Sequence, residues 1–156
     1  MYIHLLGIRD TTIDLEDCPN CVGFNIRKAM RAVSQHYDKI LAPTGLRGTQ
    51  FTILTVLCIH NKVTVTDLAN YLVMDRTTLT RNLKPLQTEG YLVISPGLQD
   101  RRSRQITLSS KGKKTQKLAL PFWQKAQREM VDYMGMANTK RFIHDLRVAA
   151  LSHERE

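Results

Sequence analysis

From Val22 onward the apolar residues recur at Val22, Ile26, Met30, Val33, Tyr37 and Ile40, steps of three and four that keep one face of a helix apolar. Pro43 and Gly45 mark its end. Phe51, Leu54, Leu57 and Cys58 repeat the pattern up to about His60, which predicts a second helix with Cys58 on its packed side as a core residue. This helix lacks an obvious start signal, because Arg47 stands where a Ser or Thr cap is expected.

Thr64 and Asp67 have the spacing of a capping box, in which Thr64 accepts a backbone N–H and Asp67 reaches back, so a third helix starts there. It must be short, because Asp75 offers a fresh N-cap soon after Val73. Two helices joined by so tight a turn form a helix-turn-helix. The fourth helix runs from Arg76 to about Glu89, with Gly90 as its stop. At about 100° per residue, Leu79, Leu83 and Leu86 fall on one side and Thr77, Thr80, Arg81 and Lys84 on the other. Pro85 predicts a bend in it and not an end, since the apolar register continues through Leu86.

Residues 91–95 and 104–108 are β-prone and are separated by a stretch rich in turn residues, which predicts an antiparallel hairpin with a basic tip. Ser109 can cap a long helix towards Met134, kinked at Pro121, and Gly135 punctuates it. Asn138 can cap a last helix with Phe142, Ile143, Leu146 and Ala150 on its apolar side. The fold class expected is mainly α with a small β-hairpin wing: a winged helix-turn-helix plus a helical lobe, about six helices in all. We divide the chain into an N-terminal extension (1–21), a first helix (22–45), a reading module (46–108) and C-terminal helices (109–156).

Charge changes this picture from a fold to a function. Residues 76–117 hold ten Lys or Arg against two acids, Glu89 and Asp100, so nearly all of the chain's net +9 sits in about a quarter of it. Cations that neutralise phosphates release condensed counterions, so such a concentration points to a polyanion. The first ten residues lack the basic leader and cleavage site of a secretion signal, and no segment reaches the roughly 18 apolar residues of a membrane helix. We therefore expect a cytoplasmic protein without a membrane partner, whose three cysteines stay reduced.

The order of elements, with its central motifs, resembles the MarR family of bacterial winged-helix regulators. The most specific match runs from Asp100 and Arg102 through Ile106, Leu108 and Ser109 to Gly112, which fits that family's wing signature D-x-R-x-x-x-(I/V)-x-L-(T/S)-x-x-G. Leu68-Ala69, Arg76 to Arg81 and Glu89 to Leu92 support it, and the resemblance covers roughly residues 21–151. It implies a homodimer whose first, fifth and sixth helices interleave and whose two winged lobes read a pseudo-palindromic DNA operator. It also implies release by a small effector, often phenolic, or by cysteine oxidation.

On this reading Thr77, Thr80, Arg81 and Lys84 meet the major groove, with Arg76 at the start of the same helix. The resemblance assigns Arg102 to minor-groove insertion, with Asp100 orienting its guanidinium, while Arg101 and Arg104 contact backbone phosphate. A bland alternative is a solvated polar helix face and a surface ion pair. Lys111, Lys113, Lys114 and Lys117 lie in a helix's first turns, a poor place for cations, and read as a solvated charge run or as phosphate contacts. Cys18 and Cys21 form a C-x-x-C pair, open to oxidant sensing or to being two small residues before a helix; a thiol oxidoreductase is the rival of another class. The five histidines lack metal-ligand spacing, so neither metal nor cofactor is expected, and no catalytic motif appears. Phe122, Trp123 and the methionines at 130, 134 and 136 read as core or dimer seam.

Overall fold

The computed structural model describes residues 19–97 and 103–151. Helices α1 (Val22–Leu41), α2 (Gly48–His60), α3 (Val65–Tyr71), α4 (Arg76–Thr88), α5 (Ser110–Met134) and α6 (Met136–Ala150) alternate with three short strands, β1 (Lys62–Thr64), β2 (Leu92–Pro96) and β3 (Arg104–Leu108). This is a winged helix with the helical arms that the periodicity predicts. The strands form one antiparallel sheet in the order β1-β3-β2, with Ile106 opposite both Val63 and Ile94. β1 was not expected, because three residues are too few for an alternating pattern to register.

The core gathers where α2, α3, α4 and the sheet meet the first half of α5. Leu41, Ile53, Leu54, Leu57, Leu68, Leu79, Leu92, Ile106 and Ala119 are each 0–1% exposed. α4 passes through Pro85 to Thr88 and keeps Leu86 buried on the far side of it, so the register does survive the proline. No helix among the described residues is long and apolar enough to cross a membrane.

Two helix starts differ from expectation. The missing cap of α2 comes from another helix: Asp38 of α1 accepts from the Gly48 N–H at 2.7 Å, while Gln50 Oε1 accepts from the Arg47 N–H at 2.9 Å. α6 begins at Met136 and not after Asn138, because Gly135 turns the chain at a φ of 78°. The Asn138 amide instead donates back to the Met134 carbonyl at 3.0 Å, closing the end of α5.

The turn of the helix-turn-helix carries a strained residue. Val73 has a φ of 51°, in the left-handed region where a β-branched side chain crowds the backbone. It is held there by the Val73 N–H donating to the Asn70 carbonyl and the Met74 N–H donating to the Ala69 carbonyl, at 3.1 and 2.8 Å. Since the side chain is 56% exposed, its packing contributes little. Val73→Gly should stabilise the fold by about 1 kcal/mol, the relieved strain exceeding the added unfolded-state entropy. Urea unfolding checks this; a lower midpoint for the variant would refute the strain.

Candidate nucleic-acid interface

The reading helix α4 is set by two side-chain caps on successive helices. At α3, Thr64 Oγ1 accepts from the Asp67 N–H at 3.0 Å, and its hydroxyl donates to Asp67 Oδ2 at 2.7 Å. The expected capping box is thus changed: Asp67 takes the Thr64 hydroxyl and not the backbone N–H. At α4, Asp75 Oδ1 accepts from the Thr78 N–H at 2.8 Å and Oδ2 from the Thr78 hydroxyl at 2.6 Å. The Thr78 hydroxyl is the main reason the Asp75 carboxyl is held below its ordinary pKa, which keeps a negative charge at the helix N-terminus where the dipole favours it.

Thr77, Thr80, Arg81 and Lys84 are all exposed on one side of α4, while Leu79, Leu83 and Leu86 are buried on the other. The two faces differ from what a free helix could present. The Thr80 hydroxyl donates to the Arg76 carbonyl at 2.7 Å, so outward it offers a methyl and acceptor lone pairs. That favours a thymine methyl or a base amino group over a phosphate, which can only accept. Arg76 is exposed, but its Nη2 donates to Thr66 Oγ1 at 2.6 Å, tying α4 to the first turn of α3 and leaving other donors of its fork outward.

The wing begins beyond the β2–β3 pair. Pro96 stands opposite Arg104, and the Gly97 N–H donates to the Ser103 carbonyl at 2.9 Å. Arg104 is exposed at the base of the hairpin. Asp100, Arg101 and Arg102 lie outside the described residues, so only the base of the wing is on view.

The far end of β3 holds a joint that the sequence reading did not single out. The Ser109 N–H donates to the Tyr91 carbonyl at 3.0 Å, and its hydroxyl points to the Gly90 and Tyr91 carbonyls at 2.7 and 3.0 Å. The same Ser109 oxygen accepts from the Gly112 N–H at 3.0 Å and so caps α5 as expected. Gly112 is pressed against that turn: a Cβ there would collide with the Tyr91 carbonyl and come within 2.7 Å of Leu108 Cδ1. The clue was present in the spacing of Ser109 and Gly112 at the end of the wing motif.

Lysines 111 to 117 do not act as one run. Lys111 Nζ donates to the Glu89 carbonyl at 2.6 Å, lies 4.0 Å from the Glu89 carboxylate and sits 4.9 Å from the centroid of the Tyr91 ring. It is a cap for the end of α4. Burial pushes the Cys58 thiol up, and the charge of Lys113 pulls it partly back. Lys114 and Lys117 are exposed.

Of the cysteine pair, Cys18 lies outside the described residues, and Cys21 is a half-buried free thiol at the start of α1. Cys58, expected in the core, is only half-buried. No three metal-ligating side chains gather among the described residues.

Two further surfaces lie outside the reading head. A cleft of about 430 Å³ lies between α1, the reading module and α5, walled by Val33, Tyr37 and Asp38 of α1, by Arg47 and Asn82 of the module and by Trp123 of α5. Apolar side chains on α1 and α6 stand uncovered in the single chain, among them Val22, Met30, Phe142, Ile143 and Leu146.

A family model described as the MarR family matches residues 44–103. The M. tuberculosis transcriptional regulator MosR, solved in complex with DNA, is 35% identical and superposes with a TM-score of 0.73, over 83% of this chain and 96% of that one. The transcriptional regulator SarZ of Staphylococcus saprophyticus is 27% identical over 105 residues, 67% of this chain and 68% of its own. The transcriptional activatory protein BadR of Rhodopseudomonas palustris is 33% identical over 97 residues, 60% of this chain and 55% of its own.

Gly112→Ala should cost about 3 kcal/mol or more, because the obstructing atom is a backbone carbonyl that cannot turn aside. A thermal or urea midpoint equal to that of the parent protein would show that the joint can relax.

Proposed function

The chain belongs to the MarR family of transcriptional regulators, and from that premise we propose that it is a homodimeric, sequence-specific repressor acting in the cytoplasm. The observation that carries the proposal is the outward face of α4, where Thr77, Thr80, Arg81 and Lys84 stand exposed between a capped α3 and the base of a wing. In this reading these four side chains enter the major groove. Arg102 enters the adjacent minor groove with Asp100 orienting it, and Arg76, Arg101 and Arg104 take backbone phosphates.

A second copy would cover the apolar stripes of α1 and α6, making residues 22–45 and 109–156 the arms of a dimer around the reading module, 46–108. A two-fold dimer reads a pseudo-palindrome whose half-sites lie about one helical turn, about 10 base pairs, apart. The cleft between α1 and α2 supports regulation by a small effector, since its walls come from an arm and from the reading module. A ligand that prefers one setting of those walls shifts the dimer away from the spacing DNA requires. The oxidation route through Cys18 and Cys21 gains no support from the half-buried, unpaired Cys21 thiol.

Fluorescence anisotropy with fragments of the gene's own promoter should show binding about a thousandfold tighter than to random DNA. Arg102→Ala should weaken the specific complex by about a hundredfold with the dimer intact by sedimentation, and Arg104→Gln should mainly flatten the salt dependence, by about one unit of slope. Equal affinity for promoter and random DNA would refute specific reading, and an unaltered Arg102→Ala complex would refute the wing assignment.

A further inference from the structure

Arg76 opens α4 with Asp75 beside it in the chain and Asp67 on the first turn of α3, yet it pairs with neither acid. Asp67 Oδ2 accepts the Thr64 hydroxyl, and both oxygens of Asp75 serve Thr78 as the cap of α4. Among the described residues no carboxylate comes within ion-pair distance of the Arg76 guanidinium. Its partner is a neutral hydroxyl: Nη2 donates at 2.6 Å to Thr66 Oγ1, ten residues back on α3.

That partner changes what the arginine can do. A carboxylate would fix the guanidinium and also offset its charge, whereas a hydroxyl fixes it and leaves the charge uncompensated. Thr66 and Arg76 are both exposed, so water competes for the bond and its contribution to folding is small. α3 and α4 are in any case joined through Leu68 and Leu79, which are fully buried in the same core. What the bond does settle is the course of one long side chain, whose rotamer freedom is otherwise lost only when a ligand binds.

The tether also bears on which ligand. It draws the guanidinium towards α3 and keeps one Nη2 hydrogen on the protein, leaving Nη1, Nε and the second Nη2 hydrogen to donate outward. Reading a guanine takes two parallel N–H groups on one base edge, a demand that suits the untethered Arg81 better. A phosphate oxygen accepts over a wide range of directions and suits a guanidinium held from one side.

We propose that Thr66 is a positioning residue for DNA-backbone binding: it holds Arg76, still fully charged, where a phosphodiester passes the start of the reading helix, and makes no DNA contact of its own. The inference rests on the outward face of α4 being a DNA interface. Without the hydroxyl Arg76 can still reach the phosphate, but it must be ordered at the moment of binding. The loss therefore falls on affinity and not on the number of phosphates neutralised.

Fluorescence anisotropy at several salt concentrations, with a promoter duplex and a random one, reads both quantities. Thr66→Val should weaken both complexes by about five- to tenfold with the slope of log affinity against log salt unchanged, and Thr66→Ser, which keeps the hydroxyl, should match the parent. Arg76→Ala should weaken both and lower the slope by about one unit, and adding Thr66→Val to it should change nothing further. With no DNA present, NMR relaxation of the Arg76 Nε–H should report an ordered side chain in the parent and a mobile one in Thr66→Val, at equal thermal midpoints. An unchanged Nε–H signal, a Thr66→Val affinity equal to the parent's, or an equal loss in the Arg76→Ala background would overturn the proposal. A parent protein with an ordered Arg76 that bound neither duplex would remove the DNA reading of this face, and the proposal with it.

Discussion

The Tyr91 carbonyl is the point on which the orientation of the reading head depends. It follows α4 directly, accepts from the Ser109 N–H at the exit of the wing, and lies against the first turn of α5, where Gly112 leaves it room. Three elements that must keep fixed mutual angles therefore meet at one backbone group. The Ser109 hydroxyl adds a second link to the turn through Gly90, and Lys111 a third through the Glu89 carbonyl. Because hydrogen bonds are short and directional, a joint of this kind transmits rotation of α5 to the helix face and to the wing together.

The connection between α1 and the reading module is built differently. α1 joins the module through Leu41, buried in the common core, and Asp38 at the Gly48 N–H, 2.7 Å, and it meets α5 through polar contacts, the Tyr37 hydroxyl donating to Gln127 Oε1 at 2.6 Å and His36 Nε2 against the Ala126 carbonyl at 3.3 Å. The cleft occupies the space between them. Each such bond contributes about 1 kcal/mol net in folding, far less than the apolar core that unites α2, α3, α4 and the sheet. Polar contacts of this size beside one buried apolar anchor, Leu41, are an arrangement in which modest binding energy can change geometry without unfolding anything.

What the sequence disclosed follows from how far apart the interacting residues lie. Caps at Thr64, Asp75 and Ser109 act on N–H groups three residues on, so spacing alone exposed them, and the two faces of α4 were legible from its period. The cap of α2 was invisible because Asp38 is ten residues away on another helix. β1 escaped because its partner β3 begins some forty residues later and the strand is only three residues long. Asn138 was misjudged because an amide that can cap the helix after it can also close the helix before it, and Gly135 at a φ of 78° decides between the two. Cys58 was misplaced because a face may be turned inward by period and still lie at an edge.

The same distinction changes the meaning of the charge. Ten cations in residues 76–117 suggested one uniform attraction for a polyanion. In the folded chain Arg76 braces α3 against α4, and Lys111 caps α4 from the next helix. Lys113 faces α2. The Lys111 ammonium, already held by a carbonyl beside a carboxylate, has less to gain from a phosphate, whereas Arg76 keeps outward donors for one. The exposed Arg81, Lys84 and Arg104 make no such bond among the described residues, and they stand on α4 and at the base of the wing. Net charge therefore overstates the polyanion footprint, whereas the fold assigns part of it to holding the reading helix in place.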